Sequence, residues 1–142
     1  MGITIRSKNL NADLGYGGFN RFRQKVADLT SKEFSDHYER LEDVYRIPDE
    51  KKQLLFFEEY EKKISDLIKQ GVVSEGIVNF CYLPDCDGEI NQENAIDVYS
   101  VLESHNEDIA YGYIAHPDCA TFNDLKSIIR DCAENGGNII WY

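Results

Sequence analysis

The sequence predicts an α+β fold in which a small, mostly antiparallel or mixed sheet packs against about five helices. Three observations lead to this prediction. The chain has 142 residues, which suits a single domain over 1–142, and 42% of them are hydrophobic, enough to form a core. Apolar residues recur at helical spacing in the first half, whereas segments typical of strands and helices alternate in the second half.

The chain opens with a strand, a loop and a helix. Ile3 and Ile5 alternate with polar residues and predict a short strand. Residues 7–18, which end in glycines, read as a loop. A helix that reaches about Thr30 follows, because apolar residues then recur every three or four positions: Phe19, Phe22, Val26 and Leu29.

Two further helices are predicted from their capping residues. Ser31 is a typical N-cap and starts a second helix, on which we expect His37 at the surface. Asp49 follows a proline and caps a third, longer helix that Gly71 ends. The predicted apolar face of this third helix contains Leu54, Phe57, Tyr60, Ile64, Leu67 and Ile68.

In the second half, β-branched and aromatic residues predict strands at 76–83, 111–115 and 138–142. A tight turn is expected at 84–88. Asn91 and Thr121 are predicted N-caps of two helices, the first over about 92–104 and the second ended by the glycines at 136–137. The final strand is expected to pair within the sheet, since an unpaired terminal segment would fray.

Charge divides the chain into two halves. Residues 1–71 hold thirteen basic and thirteen acidic side chains, whereas 72–142 hold two basic and thirteen acidic ones, a net charge of −11. This acidity favours a protein partner with a basic surface. It argues against direct nucleic-acid binding by the acidic half, because phosphate contacts need basic groups. Solubility alone also explains a solvated acidic surface.

The composition also predicts a location. The sequence contains no long apolar run that would predict a membrane span, and it does not open with a basic and apolar leader. We therefore expect a cytoplasmic protein without membrane association. Reduced thiols are expected at all four cysteines. Cys81 and Cys132 fall on apolar segments and suit the core, whereas Cys86 and Cys119 fall in loops.

The tripeptide Pro-Asp-Cys occurs at 84–86 and again at 117–119, each time before a predicted helix. Carboxylates there suit a divalent cation, although the first and last ligands of an EF-hand loop are missing. Thiols and a histidine suit zinc if the two loops converge. The alternative is a structural turn whose carboxylates cap backbone N–H groups, with no metal or cofactor. The candidate ligand residues are Asp85, Cys86, Asp87, Glu89, His116, Asp118 and Cys119.

A candidate anion site lies at the start of the first helix. Gly17 and Gly18 would expose backbone N–H groups there, and Arg21 and Arg23 follow on the helix. N–H groups at a helix start, together with arginines, suit an anion. A glycine-rich turn into an amphipathic helix explains the same pattern without a ligand.

Three motifs connect the chain to other proteins: PDCDGEI at 84–90, CAENGG at 132–137, and SKN at 7–9 followed by GYGG at 15–18. With these motifs the chain resembles a set of small uncharacterised bacterial and phage proteins that share an Asp-Cys-Asp/Glu-Gly turn and a C-terminal AENGG turn. The resemblance spans most of the chain. It implies a bacterial or phage origin and a shared fold, and it implies no mechanism.

We expect that this chain is a small acidic protein that binds a macromolecular partner, as immunity proteins or phage factors do, and that it is not an enzyme. It would be a monomer or a homodimer. The alternative is a cation or small-molecule site, with or without enzymatic activity, at the two Pro-Asp-Cys loops. Convergence of those loops would favour the site. An acidic surface with exposed aromatic residues at its centre would favour the partner: Tyr99, Tyr111 or Tyr113.

Overall fold

The computed structural model describes residues 2–111 and 120–142. Four strands form one antiparallel sheet in the order β2-β1-β4-β3. The strands are β1 (Gly2–Arg6), β2 (Asn11–Gly15), β3 (Gly88–Ile90) and β4 (Ile139–Trp141). With the helices that pack on this sheet, the predicted α+β fold is confirmed.

Six α-helices and one 3-10 helix lie in the described part of the chain. They are α1 (Tyr16–Thr30), α2 (Lys32–Glu39), the 3-10 helix (Arg40–Arg46), α3 (Glu50–Lys69), α4 (Glu75–Tyr82), α5 (Gln92–Leu102) and α6 (Phe122–Asn135). Within residues 2–111 and 120–142, none of these helices has the length and apolar character needed to cross a bilayer.

The predicted helix caps are confirmed. The side chains of Ser31, Asp49, Asn91 and Thr121 each accept a hydrogen bond from a backbone N–H in the first turn of the helix that follows. At Thr121 the cap is reciprocal, because Asp124 also accepts from the Thr121 N–H at 2.9 Å. Each such cap contributes about 1 kcal/mol, so these short-range signals locate helix starts well.

The predicted loop at 7–18 is wrong, because it contains β2 and the first turn of α1. Leu14 of β2 is fully buried opposite Ile3 of β1. A tight turn closes this hairpin, in which the Ser7 N–H donates to the Leu10 carbonyl at 2.9 Å. Only one residue of β2 is deeply buried, so its alternation was too weak to predict a strand.

The predicted strand at 76–83 is also wrong, because α4 occupies this segment. Ser74 caps the helix, and Ile77, Phe80 and Cys81 are buried at helical spacing. Gly76 lets α5 approach closely, since a Cβ there would lie 2.9 Å from Cα of Asn94. Tertiary packing against α5 therefore outweighs the strand preference of the β-branched residues.

The expected apolar face of α3 is only partly buried. Tyr60 and Leu67 are the residues of this helix that the fold buries fully. Leu54 and Phe57, predicted to face the core, are 64% and 40% exposed. The first half of α3 therefore presents apolar side chains to solvent.

The C-terminal strand lies in the middle of the sheet, between β1 and β3. Its Trp141 is fully buried and contacts Phe19 and Phe80, with ring centroids 5.3 and 5.8 Å away. The predicted pairing of this strand is confirmed. Of the predicted strand at 111–115, the structure describes Tyr111, whose N–H donates to the Ala120 carbonyl at 2.8 Å beside an isolated antiparallel β-bridge between Ala110 and Thr121. The rest of the predicted strand lies outside the described residues.

Candidate functional site

The first Pro-Asp-Cys turn follows the end of α4 and is held by two buried side chains. The Arg23 guanidinium donates to the Leu83 carbonyl at 2.5 Å and forms an ion pair with Asp85. The Trp141 indole N–H donates to the Pro84 carbonyl at 2.8 Å. These groups come from α1 and β4, so the turn is fixed to both the helical layer and the sheet.

The three carboxylates of this turn have separate environments. Asp85 pairs with Arg23, while Glu89 accepts a hydrogen bond from the Asn138 amide at 2.8 Å. Asp87 has a φ of 57°, a left-handed conformation typical of Asp in tight turns. In the described part of the chain, no three His, Cys, Asp or Glu side chains are grouped as metal ligands would be.

The second Pro-Asp-Cys turn falls outside the described residues. His116, Asp118 and Cys119 all belong to the segment 112–119. The zinc alternative, which requires the two loops to converge, is therefore not tested by the described residues. At the first turn the Cys86 side chain is exposed.

The residues of the candidate anion site have structural partners. Gly18 packs against the backbone of Tyr111, since a Cβ at Gly18 would be 1.6 Å from the Tyr111 carbonyl oxygen. The Arg21 guanidinium lies over the Tyr111 ring, 5.7 Å from its centroid. Arg23, buried, binds the Pro-Asp-Cys turn, whereas Gly17 is exposed with open space around it. The two arginines thus serve different partners.

A cleft of about 1060 Å³ lies between α1, the α2 and 3-10 segment, and the end of α4. Its walls mix cations and carboxylates, among them Arg40, Asp43 and Asp85. Burial raises the pKa of Cys81, which also lines it, to about 12, so this thiol stays protonated at neutral pH. A protonated thiol is a poor nucleophile, and the cleft therefore offers a binding surface more than a reactive group.

A histidine that we expect at the surface from the sequence is buried in the structure. His37 is 3% exposed and stacks on the Tyr60 ring at 3.9 Å between centroids. Its Nε2 lies 3.1 Å from the Tyr60 carbonyl oxygen. Burial lowers the pKa of His37, which keeps the imidazole neutral at pH 7. The expectation of a surface residue is wrong; its i,i+3 spacing from the buried Phe34 was the one available signal.

The acidic half forms a helical pair with a solvent-facing acidic surface. Helices α5 and α6 run antiparallel, since the Gln92 amide donates to the Ala133 carbonyl at one end and Lys126 Nζ donates to the Glu103 carbonyl at the other. Exposed carboxylates stand at both ends of the pair. We call this surface the acidic face and define it by Glu93, Glu103, Asp124 and Glu134.

Both cations of the acidic half are engaged within it. Lys126 Nζ donates to the carbonyls of Glu103 and His105 at 2.9 and 2.8 Å. Arg130 Nε donates to Glu134 at 2.9 Å. This hydrogen bond and the charge of Glu134 raise the pKa of Arg130, and Tyr99 makes a smaller contribution in the same direction. Arg130 neutralises Glu134, and Lys126 adds a positive charge beside Glu103, so the four carboxylates and the two cations leave the acidic face a net charge of −2.

The aromatic residues expected at the centre of this surface are distributed differently. Tyr99 is half-buried on α5, and its neighbour Ile96 is 50% exposed. Tyr111 is 4% exposed and belongs to the core, while Tyr113 lies outside the described residues. The Tyr111 hydroxyl donates to Glu107 at 2.5 Å. The expectation that Tyr111 is exposed at the surface is therefore wrong, and Ile96 and Tyr99 are the apolar groups beside the acidic face.

Glu107 has partners within the fold and does not belong to the acidic face. It forms an ion pair with Lys25 of α1 at 3.1 Å, and it lies 3.0 Å from Nε2 of His105. Burial acts to raise the pKa of Glu107, but hydrogen bonds from Tyr111, His105 and Lys25 hold it below its ordinary value. This carboxylate fixes the segment after α5 to α1.

Comparison with known proteins gives no match to a family model, a curated protein or a solved structure. The resemblance to small bacterial and phage proteins therefore stays a prediction. Function has to be argued from the surface chemistry of the chain itself.

Proposed function

We propose that this protein is a non-enzymatic binding protein whose acidic face docks on a basic protein surface. The observation that carries the proposal is the excess of exposed carboxylates over cations on α5 and α6, where Lys126 and Arg130 oppose the four carboxylates of the acidic face. A surface with an excess of one sign steers association with a partner of the opposite sign.

The apolar groups beside these carboxylates support the same function. Ile96 lies on the exposed side of α5 between Glu93 and Glu103, at helical spacing from both. Protein interfaces combine an apolar centre with a polar rim. In this proposal Ile96 and Tyr99 form the centre, and the carboxylates of the acidic face form the rim and choose a basic partner.

A paired charge reversal tests this proposal. The variant Glu93→Lys/Glu103→Lys changes one residue in the first turn of α5 and one at its C-terminal end. The control variant Glu33→Lys/Glu39→Lys makes the same charge reversal in the first turn and at the last residue of α2. Both variants shift the net charge equally and act on the helix dipole in the same direction. The control also removes the exposed Lys63–Glu33 ion pair, which contributes less than about 1 kcal/mol.

The probe is a ten-residue oligolysine peptide, titrated by calorimetry at low and at physiological salt. We expect the wild type and the α2 variant to bind it with similar affinity, and the α5 variant to lose about tenfold or more. The affinity should fall with salt, because exposed charges are screened. Equal loss in both variants would show that net charge alone attracts the peptide, and the proposal would fail.

A further inference from the structure

The exposed first half of α3 carries an apolar pair flanked by opposite charges. Leu54 and Leu55 are 64% and 58% exposed. Lys51 lies three residues before Leu54, and Glu58 lies three residues after Leu55, both exposed. Residues three and four apart share a helix face, so these four side chains form one strip. We call it the α3 strip.

The α3 strip lies away from the body of the protein. Helix α3 contacts the core through Tyr60 and Leu67, which are buried. At 100° per residue, those two positions lie on the side of the helix opposite to the strip. Among the residues that the structure describes, neither Lys51 nor Glu58 forms an ion pair. The strip thus has unpaired charge as well as exposed apolar surface.

The order of the charged and apolar residues along the strip determines which partner helix can pack against it. Reading along the helix, the strip runs positive, apolar, apolar, negative. When a second identical helix is laid against it in the opposite direction, Lys51 faces Glu58 of the second copy and Leu54 faces Leu55. A two-fold axis between the leucines repeats each contact, which is the arrangement of an isologous dimer.

The neighbouring charges favour the same orientation. Lys52 precedes the leucines and Glu59 follows them, so both flanks keep the same signs. A parallel pair would set lysine against lysine and glutamate against glutamate, which is unfavourable. The charge pattern therefore selects the antiparallel pair.

We propose that the protein forms an antiparallel homodimer through the α3 strip. The contact is short, at the low end of specific interfaces, below about 1,200 Å². We therefore expect a dissociation constant in the micromolar range and a monomer–dimer equilibrium that shifts with concentration. The acidic face lies on other helices, so this proposal is independent of the proposed function.

Sedimentation equilibrium over about 10 µM to 1 mM tests the proposal with charge variants of the strip. Lys51→Glu and Glu58→Lys each place like charges opposite one another in the antiparallel pair. Each single variant should weaken the dimer about tenfold. The double variant Lys51→Glu/Glu58→Lys restores opposite charges and should regain wild-type affinity. An exposed control, Lys32→Glu on α2, should leave the affinity unchanged.

A mixture of the two single variants distinguishes charge repulsion at the interface from misfolding of either variant. In a dimer of one copy of each, both contacts join opposite charges, one with the native signs and one with reversed signs, so the mixed dimer should form more tightly than either variant alone. With one variant labelled uniformly with ¹⁵N, native mass spectrometry separates the three dimers. A wild type that stays monomeric up to about 1 mM would overturn the proposal. So would a dimer that neither the single charge variants nor Leu54→Glu weakens.

Discussion

The Asp131 carboxylate predicts a pH-dependent contribution to stability. This side chain on α6 is 7% exposed and accepts hydrogen bonds from Ser7, Asn9 and Asn135. Four donor groups contribute, at 2.6 to 2.9 Å, and two of them belong to Asn9. The carboxylate therefore ties the β1–β2 turn to a helix more than 120 residues later in the chain.

The perturbation is Asp131→Asn, which preserves shape but replaces one accepting oxygen by a donating NH₂ group. At least two charge-assisted hydrogen bonds are lost, each contributing about 1.5 kcal/mol, so we expect about 3 kcal/mol of destabilisation at pH 7. The control is Asp108→Asn, an exposed carboxylate on the segment after α5, which should change stability by less than about 0.5 kcal/mol.

The sign of the pH dependence follows from the pKa of Asp131. Hydrogen bonds from Ser7, Asn9 and Asn135 hold the pKa of Asp131 well below its ordinary value in the folded protein. In the unfolded chain it titrates near about 3.9. The ionised carboxylate thus stabilises the fold fully above about pH 4, and this contribution is lost as the pH falls below that value toward the folded pKa.

Urea unfolding at pH 7 and at pH 3, followed by the fluorescence of the single tryptophan, measures this effect. The difference between wild type and Asp131→Asn should be largest at pH 7 and smaller at pH 3. The other carboxylates titrate in both proteins and cancel. A difference that is constant with pH, or below about 0.5 kcal/mol at pH 7, would refute the role given to this carboxylate.

Two further predictions compare matched pairs of substitutions by the same unfolding measurement. Gly88→Ala should destabilise by about 3 kcal/mol, because its Cβ would lie 2.0 Å from the buried Trp141 ring, whereas Gly17→Ala, with open space around it, should stabilise α1 by about 0.5 kcal/mol. Arg23→Ala should cost about 3 kcal/mol, because buried carbonyl partners lose their donor, while Arg21→Ala should cost less than about 1 kcal/mol. Equal effects within either pair would contradict these assignments.

The sequence predicted elements whose signals are local. Ser31, Asp49 and Thr121 begin helices because a short polar side chain can satisfy backbone N–H groups two or three residues away. Gly71 ends α3 in a left-handed conformation, with a φ of 73°. Such caps act within one helical turn, so the local sequence is enough to predict them.

The elements that the sequence did not predict depend on distant partners. Helix α4 has the composition of a strand, and besides the Ser74 cap its packing against α1 and α5 favours the helical form. The ion pair of Arg23 joins it to Asp85, 62 residues away, which the spacing along the first helix does not indicate. The burial of His37 likewise depends on Tyr60, 23 residues later. Such pairings arise from topology, which composition and spacing do not specify.

The helix dipole favours two of the carboxylates of the acidic face and disfavours the other two. Glu93 and Asp124 lie in the first turns of α5 and α6, where the helix dipole favours negative charge. Glu103 and Glu134 lie at the C-terminal ends of the same helices, where the dipole disfavours it, and neither helix has a basic residue in its last turn. Because Arg130 precedes Glu134, their pair has the weaker orientation for an i,i+4 contact. The helix dipole therefore disfavours these two carboxylates, and a basic partner that approached the acidic face would offset this effect further than Arg130 and Lys126 already do.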